Sequence, residues 1–411
     1  MNNAAKRNPV VTLSLITAAC LIGDSMLYIV LPTHWKEAGL NSLWEVGILL
    51  SVNRLVRIPL NPLVGWIYKK ISIRTGFVFA TIVALLTTLS YGFVQGFLPL
   101  LMIRCTWGLA WTFLRLGAYF TIIDCSDDSN RGHFMGRYNG LYRLGSLFGM
   151  LIGGVIADHY GLQNTAFVFG LLTLSSVPFA FFYIPTSKNY ENQIDIKTNN
   201  SSIIWKDTDI LWALAAGTFV AMIYQGMFTS TLSHLIEVHN SSTVYIGALA
   251  IGAASLGGIL QALRWSWEPW LAPWIGKKSD EKNGRYFILV ATLGLASLLF
   301  SLIPFQFPVL LWIVILIGIQ ITATFLTTIA DALASDVAVK SSSKMKVMTT
   351  YSLLIDFGAA VGPIFGYLLS EYIGIYSAYW YAALLLAILA FKYSFLLIQV
   401  ISPNNILKKK E

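Results

Sequence analysis

The chain has 411 residues, 56% of them hydrophobic and 12% charged, with a mean hydropathy of +0.66. Soluble domains carry about a quarter charged residues, so this composition excludes a water-soluble globular chain and describes an integral membrane protein. The formal charge of +8 resides mostly in the connections between apolar runs, which argues for membrane topology and against a nucleic-acid partner.

A helix crossing a bilayer needs about 20 predominantly apolar residues. Twelve such runs predict helices over 10–32, 44–66, 75–95, 98–123, 137–157, 163–185, 209–235, 243–268, 286–305, 308–333, 348–370 and 375–400. The first follows Lys6 and Arg7, but its length, its Asp24 and the lack of a small-x-small cleavage site mark a retained helix rather than a secretory leader. The second carries Arg54 and Arg57 one turn apart, with Asn61 on the same face. The fourth aligns Arg104, Gly108 and Arg115, and the fifth sets Asn139, Arg143 and Ser146 apart from a Gly145, Gly149 and Gly153 face suited to close helix packing.

A polar interval, 186–208, separates an N-terminal six-helix half, 1–185, from a C-terminal half, 209–411. The eighth run holds Arg264 and Glu268 and leads into WSWEPWLAPW, Trp265 to Trp274. Interfacial anchoring and an aromatic cavity wall both account for those tryptophans, and Pro269 and Pro273 would bend the helix. The tenth run presents Gln320, Thr324, Thr327, Thr328 and Asp331 as a polar stripe, the eleventh carries Asp356, and the twelfth Lys392, for which snorkelling is one explanation.

Of the 28 Lys and Arg residues, 20 lie on one side if the N-terminus is cytoplasmic, and the other side has only Lys36. Both termini are therefore expected inside, in a multi-pass protein of a bacterial inner membrane, as a monomer. The LKKKE tail would interact weakly with anionic lipid. Cys20, Cys105 and Cys125 are not spaced for a disulfide framework or a metal. The five His residues fall at or beyond helix ends, and HExxH, GxSxG and a P-loop are all missing. The expectation is neither an enzyme nor a nucleotide-driven pump, with no cofactor and no metal.

Seven basic residues fall inside the predicted helices (Arg54, Arg57, Arg104, Arg115, Arg143, Arg264, Lys392), against the acids Asp24, Glu268, Asp331 and Asp356. A charge at the bilayer centre costs at least ~2.5 kcal/mol, so such groups face a bundle interior or a cavity. Guanidinium forks match carboxylate and phosphate. The expected substrate-binding set is Arg54, Arg57, Arg115, Arg143, Arg264, Glu268, Gln320, Asp331 and Asp356, taking a small organic anion: a polycarboxylate, a carboxylate siderophore or an organophosphate. The competing reading pairs each arginine permanently with an acid or a helix-end carbonyl, Arg143 with Asp356 for example.

Sliding one half along the other aligns Glu37 and Gly47 with Glu237 and Gly247, then Pro62 and Gly65 with Pro273 and Gly276. Met135, Tyr138, Gly145, Gly149 and Gly153 fall on Met348, Tyr351, Gly358, Gly362 and Gly366. The offset grows by 11 between Gly47 and Gly65, predicting an eighth segment about three turns longer than the second. Two parallel six-helix repeats organise one large group of transporters.

The loop motifs sharpen that likeness. GKKSDEKNGR, Gly276 to Arg285, is similar to the pattern G-x-x-x-D-R-x-G-R, while GWIYKKISIR keeps Gly65 and Arg74 but has Lys69 and Ser72 in place of the acid and the second glycine. RCTWG in the fourth run, GSLFGMLIGG in the fifth, with Met150 in place of proline, and GAAVGPIFG in the eleventh add three more partial matches. The whole chain thus resembles the major facilitator superfamily, in its drug:proton antiporter-like branch with degenerate motifs. The resemblance implies a twelve-helix bundle of two six-helix halves, helices 1, 2, 4, 5, 7, 8, 10 and 11 lining a cavity, and alternating access. It also implies proton coupling through Asp24 and Arg104, since burial would disfavour the charge of Asp24 and a nearby arginine would favour it. Gly65, Arg74, Gly276, Asp280, Gly284 and Arg285 would form the gating motif. Proton-coupled multidrug efflux is the alternative within transport, and a non-transporting sensor on the same scaffold the alternative outside it.

Overall fold

The computed structural model describes residues 9–125, 131–184, 208–240, 242–246, 249–280, 284–340 and 344–401. The interval 186–207, the basic residues Lys6, Arg7 and Lys282, and the LKKKE tail lie outside the described residues. The helices are α1 (Pro9–Val30), α2 (Leu43–Tyr68), α3 (Ile73–Phe93), α4 (Phe97–Cys125), α5 (Arg131–Tyr183), α6 (Thr208–Val220) and α7 (Thr229–Asn240), followed by α8 (Ala253–Ser279), α9 (Gly284–Leu302), α10 (Val309–Lys340), α11 (Lys344–Tyr372) and α12 (Ile375–Ile401).

Nine helical segments among the described residues are long and apolar enough to cross a membrane. α2 and α8, richer in charge and proline, add two more. α5 supplies two crossings, because Gly161 takes φ 78°, a left-handed conformation open chiefly to glycine, and so breaks the 53-residue helix into two limbs. α6 and α7 form one crossing, joined by the π-helix Ala221–Phe228. The total is the twelve crossings expected from the sequence.

The eighth crossing differs from its prediction. Residues 243–246 and 249–252 are not its first turns but two paired strands, β1 (Thr243–Ile246) and β2 (Leu249–Gly252). α8 then has 27 residues against 26 in α2, so the extra length between the repeats lies ahead of the helix and not in it. The run TVYIGALAIG is apolar enough to read as membrane helix, but its β-branched residues and glycines suit strand and turn.

The described chain forms two compact units, one of residues 1–197, 230–245 and 249–262, the other of 198–229, 246–248 and 263–411. In lipid, packing rather than water exclusion holds helices together, and small residues allow it. In the first unit a methyl group on Gly145 would collide with the Ala18 carbonyl, and Gly149 is pressed as closely against Ile22, so α5 lies directly on α1. In the second, Gly358 and Gly362 meet the carbonyls of Thr218 and Met222 in the same way, binding α11 to α6 and the π-helix. Each partner pair is separated by the repeat offset of 200, so each unit uses the same joint. A core of Tyr68, Phe77, Trp107, Phe113 and Tyr138 fills the space between helices in the first unit.

Candidate functional site

In the first unit polar side chains collect where α1, α2 and α4 meet. Gly108 permits the approach: a methyl there would lie 2.8 Å from the Asn53 carbonyl oxygen, so the α2 and α4 backbones touch. One turn away, the buried Arg104 donates from Nη1 to the Asp24 carboxylate, with which it forms an ion pair, and from Nε to the Leu49 carbonyl at 2.8 Å. Asn53 Nδ2 donates to the same Asp24 oxygen at 3.2 Å. Tyr28, one turn beyond Asp24, lies beside two arginines: Arg54 Nε donates to its hydroxyl at 3.4 Å, and the Arg104 guanidinium stands 5.9 Å from its ring centre.

Arg57 and Arg115 belong to the same pair of helices. Arg57 Nε donates to the Asn53 carbonyl at 3.1 Å, and Arg115 Nε to the Tyr119 hydroxyl at 3.0 Å. Arg54, Arg57 and Arg115 are all half-buried, and their partners include these neutral oxygens. From the Asn53 to Gly108 juxtaposition, Arg115 falls about one turn below Arg57. Arg143 is half-buried on α5 in the same unit.

The second unit holds a different arrangement. Tyr224, at the repeat offset of 200 from Asp24, lies in the π-helix, and its hydroxyl shares a 2.9 Å hydrogen bond with the Thr322 hydroxyl of α10. A neutral pair thus replaces the ion pair of the first unit. Arg264 is buried, with its guanidinium 5.4 Å from the centre of the Trp265 ring. Trp267 Nε1 donates to the Thr324 hydroxyl at 3.3 Å, while Trp270 and Trp274 are exposed, so the tryptophan run divides between inward and outward faces. Gln320 is fully buried, and neither atom of its side-chain amide has a hydrogen-bond partner among the described residues. Glu268 and Asp356 are half-buried, and Asp331 is exposed, accepting from the Tyr351 hydroxyl at 2.8 Å. Lys392 is explained by Trp212, over whose ring its ammonium lies at 4.9 Å.

The loop motif is unequal between the units. Arg285 bridges the carboxylates of Asp280 and Asp336, and Gly284 is pressed against the Lys278 carbonyl, 2.9 Å from where a methyl would sit. Among the described residues, Gly276 has only Thr328 nearby, and Gly65 has open space around it. Arg74 lies over the Phe181 ring at 4.7 Å. Tyr28, Asn53 and Tyr224 were not singled out in the sequence, although Tyr28 follows Asp24 by one turn and Asn53 adjoins Arg54. No group of three metal-ligating side chains occurs among the described residues.

The chain matches the family description "Major Facilitator Superfamily" over residues 13–338 and 270–411. Its relatives include an uncharacterized MFS-type transporter of Methanocaldococcus jannaschii, 24% identical over 90% of this chain and 93% of that protein. Multidrug resistance protein MdtG of Proteus mirabilis is 23% identical, covering 93% of this chain and 94% of MdtG. Among solved structures, the nucleoside transporter NupG aligns with a TM-score of 0.73 at 13% identity, over 96% of this chain and all of that one (100%). A bacterial homolog of the human lysosomal transporter Spinster, in an inward-facing and unoccupied conformation, aligns with a TM-score of 0.71 at 13% identity, over 98% of this chain and 100% of the homolog. These structural likenesses establish the fold.

Proposed function

This chain belongs to the Major Facilitator Superfamily, and from that premise we propose that it carries a small organic anion across the membrane by proton-coupled alternating access. That it is a multi-pass membrane transporter follows from the family. The anionic substrate is supported by the charge inside its helices. With Asp24 and Arg104 neutralising each other, five arginines and Lys392 stand against Glu268, Asp331 and Asp356. Arg54, Arg57 and Arg115, carried by the adjoining helices α2 and α4, are the core of that excess, and their planar forks suit carboxylate or phosphate. Asp24, buried beside Arg104 and Asn53, is the proton-coupling acid of this reading. Both termini are cytoplasmic in it, and the transporter acts as a monomer in the inner membrane.

The test is a thermal-shift panel of polycarboxylates, organophosphates and lipophilic cations on the purified protein, since a ligand selective for the native state raises Tm, followed by uptake into proteoliposomes. A shift with an anion, lost in Arg54→Gln or Arg57→Gln, supports the proposal. A second reading, proton-coupled multidrug efflux, is favoured by the similarity to MdtG. A shift with lipophilic cations alone would select it and make Asp24 and Glu268 the substrate acids. Binding without accumulation in vesicles would point instead to a sensor.

A further inference from the structure

A cavity of about 570 Å³ lies in the first unit between α1 and the second limb of α5. It runs along α1 from Val11 to Ala19 and along α5 from Ser175 to Tyr183, a length of about 12 Å on either helix. Half of a ~30 Å hydrocarbon core is about 15 Å, so the slot has the length of most of one leaflet. Its walls are Val11, Leu15, Ile16, Phe179 and Tyr183 together with small residues. The hydroxyls of Ser175 and Ser176 donate to the Leu172 and Thr173 carbonyls of their own helix, at 2.7 and 2.6 Å, so these two polar groups of the wall are already satisfied. Leu15 and Phe179, 50% and 52% exposed, open the slot to the surface.

The slot has one polar end. Arg137, near the start of α5, is exposed, and among the described residues it makes no ion pair or hydrogen bond. Helices joined by short loops alternate in direction, so the start of α1, the end of α2, the start of α3 and, because α5 is two limbs, both the start and the end of α5 share one end of the unit. Lys69, Lys70 and Arg74 therefore lie at the same membrane edge as Arg137. An apolar slot one leaflet long with a guanidinium at its interfacial end fits an acyl chain below and a phosphate above.

We propose that this slot is a binding site for one anionic phospholipid, its chain between α1 and α5 and its headgroup phosphate on Arg137. The site is distinct from the arginines of α2 and α4 and does not depend on which solute is transported.

Native mass spectrometry of the full chain in an equimolar mixture of phosphatidylglycerol and phosphatidylcholine tests this. One phosphatidylglycerol should be retained with a preference of about fivefold, as one basic residue at a membrane surface gives. Arg137→Gln, at an exposed position, should bring the two lipids to equal retention with Tm unchanged. Ser175→Trp, which fills the slot, should reduce retention of both. Millimolar inorganic phosphate should neither displace the lipid nor raise Tm. Unchanged phosphatidylglycerol preference in Arg137→Gln, equal retention of both lipids by the parent protein, or displacement by phosphate alone would each overturn the assignment.

Discussion

The Asp158 carboxylate, at the end of the first limb of α5, accepts hydrogen bonds from both the backbone N–H and the hydroxyl of Ser255, at 2.7 and 2.5 Å. Ser255 stands in the first turn of α8, where N–H groups lack partners within the helix and a negative charge is favoured. The backbones are in contact around this cap: a methyl on Gly154 would collide with the Ala254 carbonyl, and one on Gly258 with that of Met150. In an alternating-access cycle that separates α5 from α8, this cap must break. Asp158→Ala should therefore cost about 1 kcal/mol, the usual value of a lost cap. It should also speed maleimide labelling of a cysteine placed at Ala254, which is fully buried here, in a background free of the native cysteines. Unchanged labelling would show that the cap does not hold the two helices.

Asp24 and Arg104 yield an asymmetric prediction. Both side chains are buried, and removing one partner of a buried pair costs about 3–5 kcal/mol because it strands the other charge. Asp24→Asn strands the Arg104 guanidinium, which stays charged, and should lower Tm more than Arg104→Gln, where the Asp24 carboxyl keeps Asn53 as a donor and can take up a proton. The double variant should recover part of the loss, as measured by thermal unfolding in detergent. In proteoliposomes, Asp24→Asn should retain solute counterflow and lose accumulation driven by a proton gradient. Normal accumulation in that variant would remove Asp24 from the coupling step.

What could be read from the sequence follows from what kind of contact each feature makes. The close-packing glycine face of α5 was visible because glycine at every fourth position records a close approach, and its repeat in α11 recurs at a fixed offset; the partners α1 and α6 were not, since nothing in those helices marks the facing carbonyls. Asp24 and Arg104 were brought together by the family resemblance, and the cost of charge at membrane depth gives the physical reason for their pairing. The Asp158 cap was not legible, since an acid at the end of an apolar run looks like any solvated loop residue until the tertiary fold brings Ser255 beside it. The strands β1 and β2 were missed for another reason: a short apolar run satisfies both a membrane helix and a strand pair, and periodicity cannot separate them. The π-helix left no sequence trace, but it places Tyr224 opposite Thr322.

The glycines separate into two classes that mutation should distinguish. Gly145→Ala and Gly358→Ala push a methyl into the Ala18 and Thr218 carbonyls, and each should cost about 1–3 kcal/mol, the range for overpacking. Gly65→Ala, in the degenerate first-half loop motif, enters open space within a helix, where alanine is favoured over glycine by about 1 kcal/mol. Its Tm should be equal to or above that of the parent. If Gly65→Ala nevertheless slowed transport, the residue would act in gating and not in packing.

Gln320 sets stability against function at one position. Its amide is fully buried on α10, and neither polar atom finds a partner among the described residues. An unsatisfied buried polar group costs about 1–3 kcal/mol, whereas leucine at the same site would have nothing to satisfy. Gln320→Leu should therefore raise Tm in the absence of solute. If the amide is retained to hydrogen-bond the transported molecule, the same variant should bind it more weakly by roughly tenfold, the loss of about 1.4 kcal/mol. Proteoliposome uptake over a range of solute concentrations reads this directly. A variant that is both more stable and fully active would show that the amide does not hold the solute, and would leave recognition to the arginines of α2 and α4.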